Sequence, residues 1–456
     1  MKSKRTITRE ARLHSIAAFY NQAGRFTEAC REKSRIQRVR TFSQEYHSDL
    51  QFVLRLLAGM CDTGVVIHGP RGCFSLLPQD IGKLEGNSHW MVTDLNERDV
   101  ILGGEAKLRG TIRRMFEENH PSRLYVVTTP PVSVNNDDTE ALAGELEEEY
   151  GVPAVVIPAT GFRSKLGVMG YDEAQDALSL LIPPAKNKGE PSYVNLISVS
   201  ESPRDVAEAG RFLNDLGLAV NVLPNLAGEH QLAHASGAKL SLVLNPEEGG
   251  PLAAFLDARF GVPAFTPLPP VGFAASDHWK QSVAARLGMP FSVTESADEL
   301  LEEDCLNGLN VYLMLDAWYV VPFKMLFESL GACICGVTVP FLDEGSHAVE
   351  ALSAPNAPLL HVAQGQAFEL VKIWERTAPD VVICQHTLPR APLSGTPCVS
   401  LEHTGLFGHD AARRLLQAVV AAQTYSGFFR TLCDSTVYRR GWMQKRVDWH
   451  IKLEVS

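Results

Sequence analysis

Residues 65–73, VVIHGPRGC, run from a short apolar stretch into a turn that ends in a thiol. The apolar part is expected to enter a sheet as a buried strand, which places Cys73 on the loop at its end. A cysteine thiolate is a strong iron ligand. Gly69 and Gly72 would let backbone approach a bound group, Pro70 would stiffen the turn, and amides beside the sulfur could donate to a cluster. A buried packing cysteine fits the same run, so the loop alone leaves ligation and packing open.

Other potential donors are less specific. Cys61 ends the apolar pattern FVLRLLAGMC, where core packing is the simpler role, and Cys30 follows a charged helical segment. Cys333 and Cys335 alternate along an expected strand and share one face, without further donors nearby in sequence. His47, His68 and His89 read as structural histidines as readily as ligands. Arg163 and Lys165, in TGFRSKLG between Gly161 and Gly167, could favour an anionic cofactor or form an exposed turn. Asp94, Glu97, Arg98 and Asp99 suit an interdomain hydrogen-bond network that fixes the cysteine loop. The segment 438–450, with Arg439, Arg440, Trp442, Lys445, Arg446 and Trp449, could face a protein partner or pack as a helix on its own body.

The elements that must hold these groups alternate. A strand at 124–128, an acidic helix at 139–149 and a strand at 154–157 give the pattern of a parallel sheet with crossover helices. A Pro/Lys-rich stretch at 183–191 separates this part from a second alternation: strands near 193–198, 219–223 and 240–244, with helices near 206–216 and 252–260. A third begins near Gly308, with strands at 310–315, 333–339 and 381–384 and helices near 321–330, 368–376 and 411–423. The expectation is therefore an α/β protein of three Rossmann-like domains with helix-flanked parallel sheets: 1–188, carrying the cysteine loop, 189–305, and 306–456 with the C-terminal helices. Length agrees, since 456 residues correspond to two or three domains. A net charge of -11 argues against binding nucleic acid through phosphate neutralisation. No apolar run long enough for a membrane span or secretory signal stands out, and nine cysteines in so long a chain suit reduced thiols in cytoplasm.

With HGPRGC, the elements TDLNERDVILGGEAKL, YVVTTPPVSVNNDD and ATGFRSKLGVMGYDEA make the chain resemble the nitrogenase component 1 superfamily. That resemblance implies a nitrogenase component 1-like fold, with these elements around an iron–sulfur cluster near an interface between two homologous subunits. It places Cys73 as the metal ligand, with Gly69, Gly72 and Arg163 in the cofactor-binding surroundings. Catalytic members carry additional cluster cysteines where this chain has His47 and Ser48, and where Thr128 and Thr129 are followed by Pro130. They also bind the active-site cofactor through a second-domain cysteine, where LVLNPEEGG supplies Asn245, and through a later histidine; His403 and His409 stand near a late turn here, without an assigned metal role.

One thiol suits a [4Fe-4S] cluster completed by three ligands from a partner. This contrast implies the β-like subunit of a scaffold for maturing the nitrogenase iron–molybdenum cofactor, in nitrogen fixation. Expected partners are a homologous α-like subunit, in a heterotetramer, and a nucleotide-dependent iron–sulfur reductase as electron donor; the cargo is a cofactor precursor. The alternatives are a subunit of a nitrogenase-like oxidoreductase acting on a tetrapyrrole or other small molecule, and a cluster-free interaction subunit.

Overall fold

The computed structural model describes residues 7–14, 16, 18–32, 48–74, 87–135, 137–185, 193–291, 306–354, 357–363, 367–385, 395–401, 404–427 and 431. His47, His403, the tail at 438–450 and both expected domain boundaries, at 188 and 305, lie outside them. The chain divides into two compact units: residues 1–9, 47–201 and 210–266 form the first, and residues 10–46, 202–209 and 267–456 the second.

The second unit holds a sheet opened by a short edge strand, β1 (Phe19–Asn21). The first unit holds two four-stranded sheets. In one, β2 (Gly64–His68), β3 (His89–Val92), β4 (Leu124–Thr128) and β5 (Ala154–Pro158) lie in the order β3-β2-β4-β5, all parallel. In the other, β6 (Tyr193–Ser198), β7 (Ala219–Pro224), β8 (Ser241–Val243) and β9 (Ala264–Phe265) follow the order β7-β6-β8-β9, again all parallel. The sheet of the second unit adds β10 (Asn310–Met314), β11 (Cys333–Val339), β12 (Leu360–Val362), β13 (Val381–Cys384) and β14 (Cys398–Ser400) in the order β1-β12-β11-β10-β13-β14. There the edge strand β1 runs antiparallel to β12, and the other described strands pair in parallel.

Burial explains why the central strands read as unbroken apolar runs. Every residue of β2 and β4 is buried, because crossover helices cover both faces of a parallel sheet. Helices Glu105–Asn119 and Thr139–Tyr150 supply Leu108, Ile112, Met115, Phe116, Leu142 and Leu146 to the core around Val66, Leu124 and Val126. The second of these starts at Asp138, whose carboxylate accepts from the Ala141 amide, and ends at Gly151 in the left-handed conformation, φ 65°.

Several helices begin before the point where apolar periodicity announces them. The helix expected near 252–260 spans Pro246–Phe260: Asn245 caps it through the Glu247 amide, Pro246 occupies the first turn, and the polar PEEGG residues belong to the helix. Likewise PPVSVN, read as a turn, is the helix Pro130–Asn135.

Candidate functional site

All four strands of the β3-β2-β4-β5 sheet point the same way, so their carboxyl ends share one edge. The chain leaves β2 toward β3 on one side and returns to β4 on the other, so the loops after β2 and β4 diverge. In open parallel sheets such a switch point is where a ligand finds room. Cys73 lies on the first of these loops and Thr129 on the second.

Cys73 sits in the short helix Arg71–Phe74, its amide bonded to the Pro70 carbonyl at 3.0 Å. It is half-buried. Burial pushes its thiol pKa up, and a hydrogen bond with the Thr129 hydroxyl works against that rise. Thr129 also donates from Oγ1 to the His68 carbonyl at 2.8 Å. The TTP turn therefore meets Cys73 directly. Gly69 makes the approach possible: a Cβ there would stand 2.2 Å from Thr129 Oγ1. At Gly72 a Cβ would meet nothing within 4 Å.

Behind the loop, His68 is fully buried. Its Nδ1 lies 3.1 Å from Thr93 Oγ1 and its Nε2 3.1 Å from Asp137 Oδ2. Asp137 Oδ2 also accepts from the Gly104 amide at 2.9 Å, and Thr93 Oγ1 accepts from the Gly69 amide at 2.9 Å. Gly104 is needed here, since a Cβ would stand 2.7 Å from His68 Cε1. Three sequence elements singled out separately thus converge behind Cys73. Thr129, Asp137 and the pairing of Thr93 with His68 had no individual signal beyond lying inside those elements.

The expected interdomain network of Asp94, Glu97, Arg98 and Asp99 is corrected for the two aspartates, whose bonds stay within the first unit: Asp94 ties the turn after β3 to the cysteine loop, and Asp99 bonds around its own helix. Asp94 pairs with Arg71 at 2.7 Å, and Asp99 pairs with Lys107 at 2.7 Å. Asp99 and Asn96 exchange side-chain-to-backbone bonds that cap the helix Glu97–Leu102. The cause is proximity: the turn after β3 folds onto its own helix and onto the start of the next.

Arg163 forms an ion pair with Glu173. Burial outweighs the Arg163 charge and pushes the Glu173 carboxyl up to about 7. Nearby, the Gly161 amide donates to Asp49 Oδ2 at 2.7 Å, and a Cβ on Gly161 would lie 3.7 Å from Pro130 Cγ, so the TGFRSKLG turn adjoins the loop after β4.

Large apolar side chains stand exposed along the same sheet edge: Ile101 and Leu102 after β3, Val134 after β4, and Phe162 after β5. Sequence reading missed them as a group because they come from three separate segments of the chain. Single exposed apolar residues are ordinary, whereas several around one site mark a surface that meets something.

The remaining candidates sit elsewhere. Cys30 is buried, and Cys61 is half-buried with its amide bonded to the Ala227 carbonyl. His89 is the first residue of β3. Cys333 is exposed and Cys335 half-buried on β11; burial pushes the Cys335 thiol up to about 12. His409 pairs with Asp277 at 3.2 Å and packs edge-on against Phe273. Asn245 serves as a helix cap. Among the described residues, no group of three or more His, Cys, Asp or Glu side chains is arranged to hold a metal ion. No described helix is long and apolar enough to cross a membrane.

Residues 52–424 match the family model described as nitrogenase component 1 type oxidoreductase, and the chain belongs to that family. Its relatives include the nitrogenase iron-molybdenum cofactor biosynthesis protein NifE of Clostridium pasteurianum, 29% identical over 56% of this chain and 58% of that protein. The nitrogenase molybdenum-iron protein alpha chain of Methanothermobacter marburgensis is 25% identical over 72% of this chain and 74% of its own length. The vanadium-iron protein beta chain of Trichormus variabilis is 25% identical over 51% and 55%. The chain thus spans little more than half the length of the first of these relatives. Among solved structures, nitrogenase Cp1 at pH 6.5 superposes with a TM-score of 0.70 at 16% identity, covering 85% of this chain and 94% of the other. The fold is that of nitrogenase component 1, with parallel sheets flanked by helices.

Proposed function

We propose that this chain is the β-like subunit of a scaffold on which an iron–molybdenum cofactor precursor is matured, and that Cys73 gives one thiolate to a [4Fe-4S] cluster shared with a homologous α-like subunit. The observation that carries the reading is the thiol of Cys73 at the β2/β4 switch point, with no second cysteine beside it among the described residues and with Thr129 and Pro130 filling the facing loop. A four-iron cubane needs four outer ligands, commonly thiolates. The described donors here fit one share of that set and not the whole, so the remaining ligands would come from the partner. Exposed Ile101, Leu102, Val134 and Phe162 give the partner an apolar surface at the same sheet edge.

When bound, the cluster would supply electron transfer at low potential. The chain's own residues would fix the sulfur through the 69–73 turn, hold Thr129 against it, and shield it on one side by the buried strand ends. Gly69 and Gly72 would lie beside the group, and Arg163, on the adjoining turn, would favour its negative charge. We place the complex in the cytoplasm, as a heterotetramer drawing electrons from a nucleotide-dependent iron–sulfur reductase. The relatives named as nitrogenase alpha chains favour a second reading, a subunit of a catalytic reductase acting on a small molecule.

The test is Cys73→Ala in the chain purified anaerobically with its natural partner. Loss of iron and of the cluster's electron paramagnetic resonance signal is expected, with the pair still assembled. Unchanged metal content and an unaltered signal would refute ligation. Release of a transferable iron–sulfur precursor distinguishes the scaffold from a reductase, which would instead turn over a bound organic substrate.

A further inference from the structure

We propose that His68 is a positioning residue, locked as the neutral imidazole with its proton on Nε2, which fastens the segments carrying Thr93, Gly104 and Asp137 to the turn that bears Cys73. For a neutral ring the donors and acceptors leave one consistent arrangement. Asp137 Oδ2 is an acceptor 3.1 Å from Nε2, so that nitrogen donates. In the neutral ring that complete burial favours, Nδ1 then accepts, and the group within reach is the Thr93 hydroxyl at 3.1 Å. Thr93 is free to give that proton because its oxygen already accepts from the Gly69 amide at 2.9 Å, and the carbonyl of Gly69 is farther off, at 3.3 Å. The second nitrogen of a buried histidine sets which tautomer it holds.

The lock reaches the sulfur through backbone. His68 and Gly69 are consecutive: the ring is held by Asp137 and Thr93, the Gly69 amide by Thr93, and the His68 carbonyl by Thr129, whose hydroxyl touches Cys73. Complete burial pushes the imidazole pKa down, and Asp137 opposes that shift. The histidine of the HGPRGC motif is thereby assigned to holding the loop and not to binding metal. This inference deepens the reading of Cys73 as a ligand, yet its evidence in the imidazole can be read with no metal present.

The experiment is long-range proton–nitrogen NMR of the full chain labelled with 15N-histidine, His68 being assigned as the resonance lost in His68→Gln. The expected wild-type pattern is a protonated Nε2 and a bare Nδ1 that do not move across neutral pH. Asp137→Ala removes the acceptor of Nε2 and should move the Nε2 resonance and loosen the tautomer, whereas Asp137→Asn, whose amide oxygen can still accept from both Nε2 and the Gly104 amide, should keep the wild-type pattern. Thr93→Val should shift the Nδ1 resonance, while Thr93→Ser should restore it. An Nδ1-protonated ring in the wild type, ordinary histidine titration, or an unchanged pattern in Asp137→Ala would overturn the proposal. Should the variants not fold, the wild-type pattern decides alone. Failure of the ligand reading looks different: Cys73→Ala would retain iron while the His68 spectrum stayed as expected.

Discussion

Introducing a single methyl group at Gly69 should open the cysteine loop, and a second substitution should close most of the damage again. A Cβ at Gly69 would stand 2.2 Å from Thr129 Oγ1, 2.8 Å from its Cγ2 and 3.0 Å from its Cβ. The near atoms belong to a short β-branched side chain that cannot swing aside, because its hydroxyl is bonded to the His68 carbonyl and its backbone begins a helix. Overpacking of this kind costs about 1–3 kcal/mol. Displacing the hydroxyl from a buried carbonyl adds roughly 1 kcal/mol, giving about 3 kcal/mol for Gly69→Ala. Thr129→Ala alone loses the hydrogen bond and a methyl group, about 2 kcal/mol.

If the two residues were independent, the double variant would lose about 5 kcal/mol. Removing Thr129 Oγ1 and Cγ2 empties the space the new methyl needs, so about 2–3 kcal/mol is expected instead. Hydrogen exchange read by mass spectrometry on peptides covering residues 64–74 measures this as local opening, with about tenfold faster exchange for each 1.4 kcal/mol. Additive losses in the double variant would refute the claim that Gly69 exists to admit Thr129.

Gly170→Ala should be more damaging, because its Cβ would meet the Asp49 backbone oxygen at 2.1 Å and backbone cannot rotate away. Helices Asp49–Ala58 and Met169–Ser179 would be forced apart at a cost near or above ~3 kcal/mol; exchange protection in both helices equal to wild type would contradict this. Glu173→Gln should change the pH dependence of stability. The folded-state pKa of Glu173, about 7, lies above its unfolded value, so the stability gained from its proton is complete below the unfolded pKa and is lost as pH rises toward 7. The variant's thermal midpoint should therefore fall less than that of wild type across that window, where the wild-type slope from this group reaches at most ~1.4 kcal/mol per pH unit; parallel curves would refute it.

The sequence by itself determined the alternation of elements and the loop that carries Cys73. β2, β4 and β13 were legible because strands covered on both faces are built mainly of apolar residues, whatever they pack against, and β6 and β11 because most of their residues are buried in the same way. Short edge strands such as β1 and β9, and the polar first turn of Pro246–Phe260, carry no such signal: their residues are set by caps and neighbours rather than by periodicity. HGPRGC likewise announced a thiol on a stiff turn, as chain chemistry alone allows.

Only the tertiary structure decided what stands around that thiol. His68, Thr93, Gly104, Thr129 and Asp137 meet because parallel strands in the order β3-β2-β4-β5 bring their carboxyl ends to one edge, and that order is a property of pairing. The exposed Ile101, Leu102, Val134 and Phe162 all follow strands of that sheet for the same reason. Periodicity reports how each segment faces water or core, and it holds no information about which strand lies beside which.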